Sequence, residues 1–156
     1  MEIRKLQADA LPVSQILSLL EIFQGISPAR PDWQRLKSAL LRHCLWGFFD
    51  GEKLIGCALV NENTAYFQNS VQLMDLRYRW EYNQEATVIW MLRAIGEAYQ
   101  DRSAQMVLDI DLRRDLNLGL YQKLGFQKSI MRSPTGPHHG VFIASLDTLL
   151  THRFFS

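Results

Sequence analysis

The sequence lacks the features that mark metal centres, membrane spans and nucleic-acid-binding surfaces. Its two cysteines, Cys44 and Cys57, have no partners at metal-ligand spacing. No apolar run approaches the roughly 20 residues of a membrane-spanning helix. No basic run reaches the length of a nucleic-acid or lipid-binding patch, and the formal net charge is only +1. We therefore predict no metal site, no membrane partner and no nucleic-acid partner.

The cysteines and the first residues also predict the compartment. Cys57 lies in the apolar run "LIGCALV", and we interpret both cysteines as buried thiols rather than as a disulfide or a zinc site. The opening "MEIRKLQADALPVSQ" has no apolar segment followed by a small-residue cleavage site. We expect a reduced, cytoplasmic protein. Its 156 residues suit one domain, residues 1–156, that buries about two-thirds of its unfolded surface.

Apolar periodicity divides the chain into alternating strands and helices. Asp50-Gly51, between two strand-like runs, is typical of a tight hairpin turn. A long helix is predicted from about Asn83 to Tyr99, and a break is indicated near Asn69. The predicted order is β-α-α-β-β-β-α-β-α-β-β, which indicates an α+β or mixed α/β fold around one sheet.

Two early helices show apolar stripes that we expect to face the core. The first helix is predicted to bury Val13, Ile16, Leu17, Leu20 and Phe23. The second is predicted to turn inward Trp33, Leu36, Leu40, Leu41 and Cys44.

The stretch "DLNLGLYQKLGFQ", residues 115–127, predicts a short helix with an abrupt end. Asp115 is an acceptable N-cap, and Gly125 occupies the position where a left-handed C-cap is favoured. Leucines recur every fourth residue, and Tyr121 lies beside that stripe. Tyr121 is therefore either a packing aromatic or a side chain whose hydroxyl has a function.

The segment "LYQKLGF" and the order of elements resemble the GNAT superfamily of acetyl-CoA-dependent N-acetyltransferases. The resemblance implies a central, mostly antiparallel sheet that is splayed in the middle and flanked by about four helices. In that family the tyrosine of this segment lies near the sulfur of coenzyme A and returns a proton to the leaving thiolate. Tyr121 is therefore the candidate catalytic acid.

A second segment, "DLRYRWEYNQEATV", resembles the family's strand and pyrophosphate loop but has lost the loop glycines. Asp75 and Leu76 match the start of the family pattern, and Tyr82 stands where the family has a tyrosine. Glycines let phosphate oxygens approach backbone N–H groups at a helix N-terminus, where the helix dipole favours an anion. The alternative is that Asn83 caps this helix and leaves no need for a phosphate.

The resemblance implies roles for further residues by their positions. Asp75, or in second place Glu81, is the candidate base that accepts the amine proton, and a backbone N–H near residues 76–78 would stabilise the oxyanion. Arg114 replaces the family's asparagine seven residues before Tyr121. The candidate cofactor-binding residues are Leu76, Arg77, Tyr78, Asn83, Gln84, Glu85, Ala86, Thr87, Val88, Arg114 and Asn117.

Two functions follow from these patterns. The first is transfer of an acetyl group from acetyl-CoA to a primary amine, of a small molecule, peptide or protein, by direct attack. The second is a catalytically silent domain of the same fold that binds a ligand or partner. The partner of the first is an unidentified amine, and the apolar tail "LDTLLTHRFF" could pack on a second copy, as a homodimer, or on its own subunit. His138 and His139 lie in a Pro- and Gly-rich turn and are interpreted as exposed.

Overall fold

The computed structural model describes residues 1–24, 33–62, 69–113, 115 and 117–152. Within these residues, strands and helices alternate largely as the apolar pattern predicts. The strands are β1 (Glu2–Leu6), β2 (Cys44–Asp50), β3 (Lys53–Asn61), β4 (Ser70–Tyr78), β5 (Gln105–Asp111), β6 (Gln127–Lys128) and β7 (His139–Ser145). The helices are α1 (Val13–Gln24), α2 (Trp33–Leu40), α3 (Glu85–Tyr99), α4 (Leu118–Lys123) and α5 (Leu146–Leu150), with a 3₁₀ turn at Trp80–Tyr82.

The strands form one seven-stranded sheet in the order β1-β2-β3-β4-β5-β7-β6. β4 and β5 run parallel, whereas β1 with β2, β2 with β3, and β7 with both β5 and β6 run antiparallel. The predicted mixed α/β fold with a mostly antiparallel sheet is confirmed. By internal contacts the chain divides into two compact units, Met1–Val60 with Asp75–Asn83 and Asn61–Met74 with Gln84–Ser156. We call them the first and second unit.

The β2–β3 hairpin is the centre of the first unit. Its last pair is Asp50 with Lys53, so the two turn residues are Gly51 and Glu52, one position later than the predicted dipeptide. Gly51 has φ of 60°, which a tight hairpin requires at its first central position and which glycine adopts without strain. Large apolar side chains of both strands are completely buried, among them Phe48, Phe49 and Ile55.

The predicted apolar face of α1 is wrong in part. Leu19 and Ile22 are buried, whereas Val13 and Leu17 are exposed. The reason is that α1 carries apolar residues around most of its circumference, so periodicity alone allows more than one buried face. Tertiary packing selects the face centred on Leu19.

The predicted inward face of α2 is also too long. The helix ends at Leu40, which is buried, and Leu41 is exposed.

Cys44 belongs to β2 and is half-buried, and Cys57 on β3 is buried; the two cysteines form no disulfide. Burial raises the pKa of the Cys57 thiol, so this thiol is a poor nucleophile.

In the second unit, α3 packs against α5, a helix that the apolar pattern does not predict. Leu146 and Leu149 of α5 are buried. Gly96 of α3 permits the close approach, because a Cβ there would lie 3.1 Å from Leu150 Cδ2. The described part of the apolar tail therefore packs on its own chain, and residues 153–156 lie outside the described residues.

β5 pairs with β7 along its whole length but with β4 only along its first part. Its register with β4 runs from Ser70↔Gln105 to Leu73↔Leu108, while its register with β7 continues to Asp111↔His139. Beyond Leu108, the pairs that β5 forms in the described part of the chain are with β7. The parallel pairing thus ends partway along both strands, as expected for the splayed sheet that the resemblance implies.

No helix among the described residues is both long enough and apolar enough to cross a membrane.

We expect Gly96→Val to lower the free energy of unfolding by about 1–3 kcal/mol, because the added methyl groups overpack the contact with α5. Urea unfolding followed by circular dichroism measures the change. In a Leu150→Ala background, where the space is open, the cost of Gly96→Val should be smaller. If Gly96→Val lowers the free energy of unfolding equally in both backgrounds, the contact with Leu150 of α5 does not restrict the size of the side chain at residue 96.

Candidate active site

The segment "LYQKLGF", which ends α4, forms a Schellman C-cap. The Phe126 N–H donates to the Tyr121 carbonyl at 3.1 Å, and the Gly125 N–H donates to the Gln122 carbonyl at 3.1 Å. This pair of bonds satisfies carbonyls that the helix end leaves open. It requires a left-handed residue, and Gly125 has φ of 99°. The predicted glycine C-cap is confirmed.

The same cap packs Tyr121 against Phe126. The ring centroids are 6.1 Å apart at an interplanar angle of 71°, an edge-to-face pair. Tyr121 is 3% exposed, and its hydroxyl donates to Asp115 Oδ2 at 3.3 Å. The "LYQKLGF" pattern therefore has a packing explanation that is independent of catalysis.

Asp115 has a different role from the predicted helix cap. The N-cap of α4 is Asn117, and Asp115 Oδ1 accepts a hydrogen bond from the Asn117 N–H at 2.7 Å. Asp115 thus holds both the turn before α4 and the Tyr121 hydroxyl. Arg114 lies outside the described residues. Arg113 beside it pairs with Asp111, and this hydrogen bond lowers the pKa of the Asp111 carboxyl.

In the first unit, the candidate base Asp75 is engaged in an ion pair. Its Oδ2 accepts from Arg77 Nε at 2.9 Å, and the Arg77 guanidinium lies 4.7 Å from the centre of the Phe23 ring. Leu76 and Tyr78 are half-buried on the same strand. Arg77, predicted to contact the cofactor, is here held by Asp75 and by the ring of Phe23.

The second candidate base, Glu81, also has a partner. Its Oε1 lies 3.3 Å from Lys53 Nζ. A backbone hydrogen bond and the bond from Lys53 lower the pKa of the Glu81 carboxyl. A lowered pKa makes a carboxylate a weaker acceptor of a proton at neutral pH. Glu81 is therefore a poor candidate for the base.

Residues 80–82 form a 3₁₀ turn that follows the end of β4 at Tyr78. Trp80 is 76% exposed. The Tyr82 hydroxyl donates to Asp50 Oδ2 at 2.9 Å, a bond that raises the pKa of Tyr82. Arg79 donates from Nε to the Leu54 carbonyl at 2.9 Å. These contacts hold the turn against the β2–β3 hairpin of the same unit.

The start of α3 differs from the prediction. The helix begins at Glu85 with Gln84 as its N-cap, and no side chain makes a capping hydrogen bond there. Asn83 is instead the C-cap of the 3₁₀ turn, and its Oδ1 accepts from the Tyr78 hydroxyl at 3.3 Å. The predicted cap by Asn83 is wrong because the intervening turn places Asn83 before the helix and engages its amide.

The side chains of the α3 start separate into exposed and buried groups. Gln84, Glu85 and Ala86 are exposed, whereas Thr87 and Val88 are buried in the second unit. The bulk of Val88 therefore points into the core. The surface of this helix start is formed by the three exposed residues.

One cluster in the second unit is absent from the predicted site. Asp109, on β5, accepts hydrogen bonds from Ser133 Oγ at 2.7 Å and from Thr135 Oγ1. His139 Nδ1 lies 3.1 Å from Asp109 Oδ1. The signal in the sequence was an aspartate inside the apolar strand "MVLDI", since a buried carboxylate needs partners.

The described residues contain no group of three or more His, Cys, Asp or Glu side chains placed to hold a metal ion.

Comparison with known proteins identifies the fold. No family model and no curated protein match the sequence. The ribosomal-protein-S18-alanine N-acetyltransferase from Escherichia coli superposes with a TM-score of 0.66 at 13% identity, covering 93% of each chain. The aminoglycoside 6'-N-acetyltransferase from Enterococcus faecium gives 0.65 at 12% identity, covering 94% of this chain and 97% of that chain.

A third structure contains the coenzyme. The PaiA N-acetyltransferase from Thermoplasma acidophilum, in complex with coenzyme A, gives a TM-score of 0.61 at 16% identity, covering 92% of this chain and 98% of that chain. At such identities the similarity establishes the fold. The chain has the fold of the GNAT acetyltransferases, and the resemblance predicted from the sequence is confirmed at that level.

We expect Gly125→Ala to lower the free energy of unfolding by about 1–2 kcal/mol, because a Cβ disfavours the left-handed conformation. Gly119→Ala in the same helix is the matched control, since a Cβ there meets no atom within 4 Å. That variant should be neutral or up to about 1 kcal/mol more stable. Chemical denaturation of both variants gives the comparison, and equal effects would argue against the cap.

Proposed function

We propose that this protein is an acetyl-CoA-dependent N-acetyltransferase. It transfers the acetyl group to a primary amine, of a small molecule, peptide or protein, by direct attack on the thioester. The observation that carries the proposal is the uncapped start of α3 in a chain with the GNAT fold. The amine acceptor, the cytoplasmic location and a homodimer stay predictions.

The start of α3 offers backbone donors to a phosphate. In the described part of the chain, the first hydrogen bonds of the helix come from the Thr87 and Val88 N–H groups, both to the Gln84 carbonyl. The N–H groups of Glu85 and Ala86 precede them, and no side chain caps them. Such N–H groups, together with the helix dipole, bind anions. We propose that they hold the pyrophosphate of acetyl-CoA.

Glycine is not needed at every position of such a loop. Because Thr87 and Val88 are buried, their side chains do not crowd the exposed surface of the helix start. Ala86 adds one methyl group there. Glu85 is the unfavourable feature, since its carboxylate repels an anion at short range.

Tyr121 supplies the proton for the leaving group in this proposal. The amine nitrogen bonds to the thioester carbonyl carbon and gives up one N–H proton to a base. The carbon–sulfur bond breaks, the thiolate takes the hydroxyl proton of Tyr121, and Tyr121 regains a proton from solvent. The products are an N-acetylated amine and coenzyme A. The bond from the Tyr121 hydroxyl to Asp115 is long at 3.3 Å, so exchanging that acceptor for a thiolate costs little.

The alternative function is a catalytically silent domain that binds another ligand or a partner. Two features favour it: the negative charge of Glu85 at the α3 start, and the occupation of the candidate base Asp75 by Arg77. Binding of coenzyme without transfer to any amine would support this alternative.

Acetyl-CoA should stabilise the folded protein. A ligand at a hundredfold excess over its dissociation constant that binds only the folded state adds about 2.7 kcal/mol to the free energy of unfolding. Thermal unfolding with increasing acetyl-CoA, checked by calorimetry, measures the effect. The absence of a shift up to millimolar coenzyme would contradict the proposal.

The two ends of α3 allow a matched test of the phosphate site. Gln84→Glu adds a charge at the N-cap, and we expect it to stabilise the helix by about 0.3–1 kcal/mol while weakening acetyl-CoA binding roughly tenfold. Gln100→Glu adds the same charge at the C-cap and should leave binding unchanged. Calorimetric titration compares the two variants; equal affinities would place the phosphates elsewhere.

Tyr121→Phe tests the acid. We expect the rate of acetyl transfer to fall, by about 10²-fold or more, while the affinity for acetyl-CoA stays nearly constant. The ring and its contact with Phe126 are retained, so the loss of the hydroxyl bond to Asp115 should cost at most about 1 kcal/mol of stability. Steady-state kinetics at saturating coenzyme measure the rate, and unchanged turnover would remove Tyr121 from the mechanism.

A further inference from the structure

A buried carboxylate in the middle of a strand is costly unless it is fully hydrogen-bonded. The Asp109 side chain is 0% exposed, and it receives hydroxyl donors from Ser133 and Thr135. These two residues belong to the segment between β6 and β7. They leave room at Oδ1 for a third donor, which is the imidazole of His139.

The contact with Asp109 orients His139. Its Nδ1 faces the carboxylate at 3.1 Å, and the side chain is 22% exposed. A carboxylate accepts but does not donate, so Nδ1 carries the hydrogen of the neutral ring and Nε2 keeps a lone pair. An imidazole held by a carboxylate through Nδ1, with Nε2 bare, is the arrangement that enzymes use to accept a proton.

The pair lies where β5 leaves its parallel neighbour. Leu108 is the last residue of β5 registered with β4, and Asp109 is the next one. Asp109 pairs with Val141, and Asp111 pairs with His139, on β7. Asp109 therefore lies just past the end of the β4–β5 pairing, with His139 on the adjacent strand β7, and both are in the same unit as Tyr121 and the start of α3. The other charged neighbours are Asp111, opposite His139 in the register, and Arg113, which is paired with Asp111.

We propose that His139, oriented by Asp109, is the base that accepts the proton of the attacking amine. This inference rests on the proposed acetyl transfer. As the nitrogen–carbon bond forms, an N–H proton of the amine passes to Nε2 of His139, which becomes an imidazolium hydrogen-bonded to Asp109. The carbon–sulfur bond then breaks, and Tyr121 protonates the thiolate. Solvent exchange returns the imidazolium proton to Tyr121.

The two carboxylates predicted for this role are less suited to it. Asp75 Oδ2 already accepts a hydrogen bond from the Arg77 guanidinium at 2.9 Å, so this oxygen is engaged by another side chain. Glu81 is paired with Lys53. His139 is instead partnered by a carboxylate, which stabilises the imidazolium that proton transfer creates.

Two matched nucleophiles test the assignment. Both nucleophiles lose an N–H proton when they are acetylated. Benzylamine is the more basic of the two, so its adduct needs a base to take that proton, whereas the adduct of the weakly basic O-benzylhydroxylamine gives the proton up readily to water. In His139→Asn the side-chain amide can still donate to Asp109, so the cluster keeps its third donor. We expect this variant to lose about 10²–10⁴-fold in acetyl transfer to benzylamine and only a few-fold with O-benzylhydroxylamine. His138→Asn, at the exposed neighbour, should match the wild type with both.

A purely structural role for His139 would lower both rates together. That result, or wild-type rates in His139→Asn, would overturn the inference while leaving the proposed function intact. If the wild-type protein acetylates neither amine and does not bind acetyl-CoA, the proposed function fails and the assignment of His139 fails with it. Should His139→Asn not fold, His139→Ala with added imidazole replaces it; rescue of benzylamine acetylation by imidazole is expected, and absence of rescue in a folded variant would contradict the role.

Discussion

The pairing of β5 with two different neighbours is the constraint on which the second unit depends. A strand buried on both faces must satisfy its backbone groups along its whole length. β5 does so with β4 as far as Leu108 and with β7 as far as Asp111. Because the two registers end at different places, one edge of β5 has no strand pair from Asp109 onward in the described part of the chain. This open edge begins at a polar side chain in the otherwise apolar run "MVLDI".

The Asp109 carboxylate links this open edge to the chain segment that follows β6. Its acceptors are taken by Ser133, Thr135 and His139, so one buried charge positions three side chains that are 24 to 30 residues away in sequence. Breaking the hydrogen bonds of a buried carboxylate strongly destabilises the folded state. The geometry of the cluster is therefore well defined. An imidazole fixed by a buried carboxylate is the kind of preorganised group that proton transfer requires.

The features that the sequence predicts correctly are those encoded by neighbouring residues. Gly125 after an apolar stripe predicts the end of α4, and a glycine between two strand-like runs predicts the β2–β3 turn within one residue. Features that depend on tertiary contacts were missed. The buried face of α1, centred on Leu19, is selected by packing, because apolar residues surround most of that helix. The role of Asn83 depends on a 3₁₀ turn that no local pattern indicated.

In the candidate site, too, the residue found from neighbouring sequence was predicted and the one that depends on a distant contact was missed. Tyr121 was singled out from a local motif, and the structure confirms its position in the last turn of α4 while leaving its catalytic role as a proposal. His139 was interpreted as an exposed turn residue, because its sequence neighbours are proline and glycine. Its contact with Asp109 spans 30 residues and leaves no local signal. The aspartate in an apolar strand was the available indication that a distant partner must exist.

The start of α3 explains how a loop without glycine can remain open to an anion. Periodicity of the helix turns Thr87 and Val88 inward, so the bulky substitutions fall on the buried side. The exposed side carries Gln84, Glu85 and Ala86, and its N–H groups have no side-chain cap. In the proposed phosphate site, the absence of glycine therefore leaves the exposed surface of the helix start uncrowded, and Glu85 is the unfavourable residue.

The most direct measurement is a titration of ¹⁵N-labelled protein with coenzyme A, followed residue by residue by NMR. We expect the amide signals of Glu85 and Ala86 to shift most and saturably, since their N–H groups would donate hydrogen bonds to phosphate oxygens. ADP should shift the same signals, because it carries the same pyrophosphate. Unchanged signals at the α3 start, with or without shifts elsewhere, would contradict the central claim that this helix end binds the coenzyme.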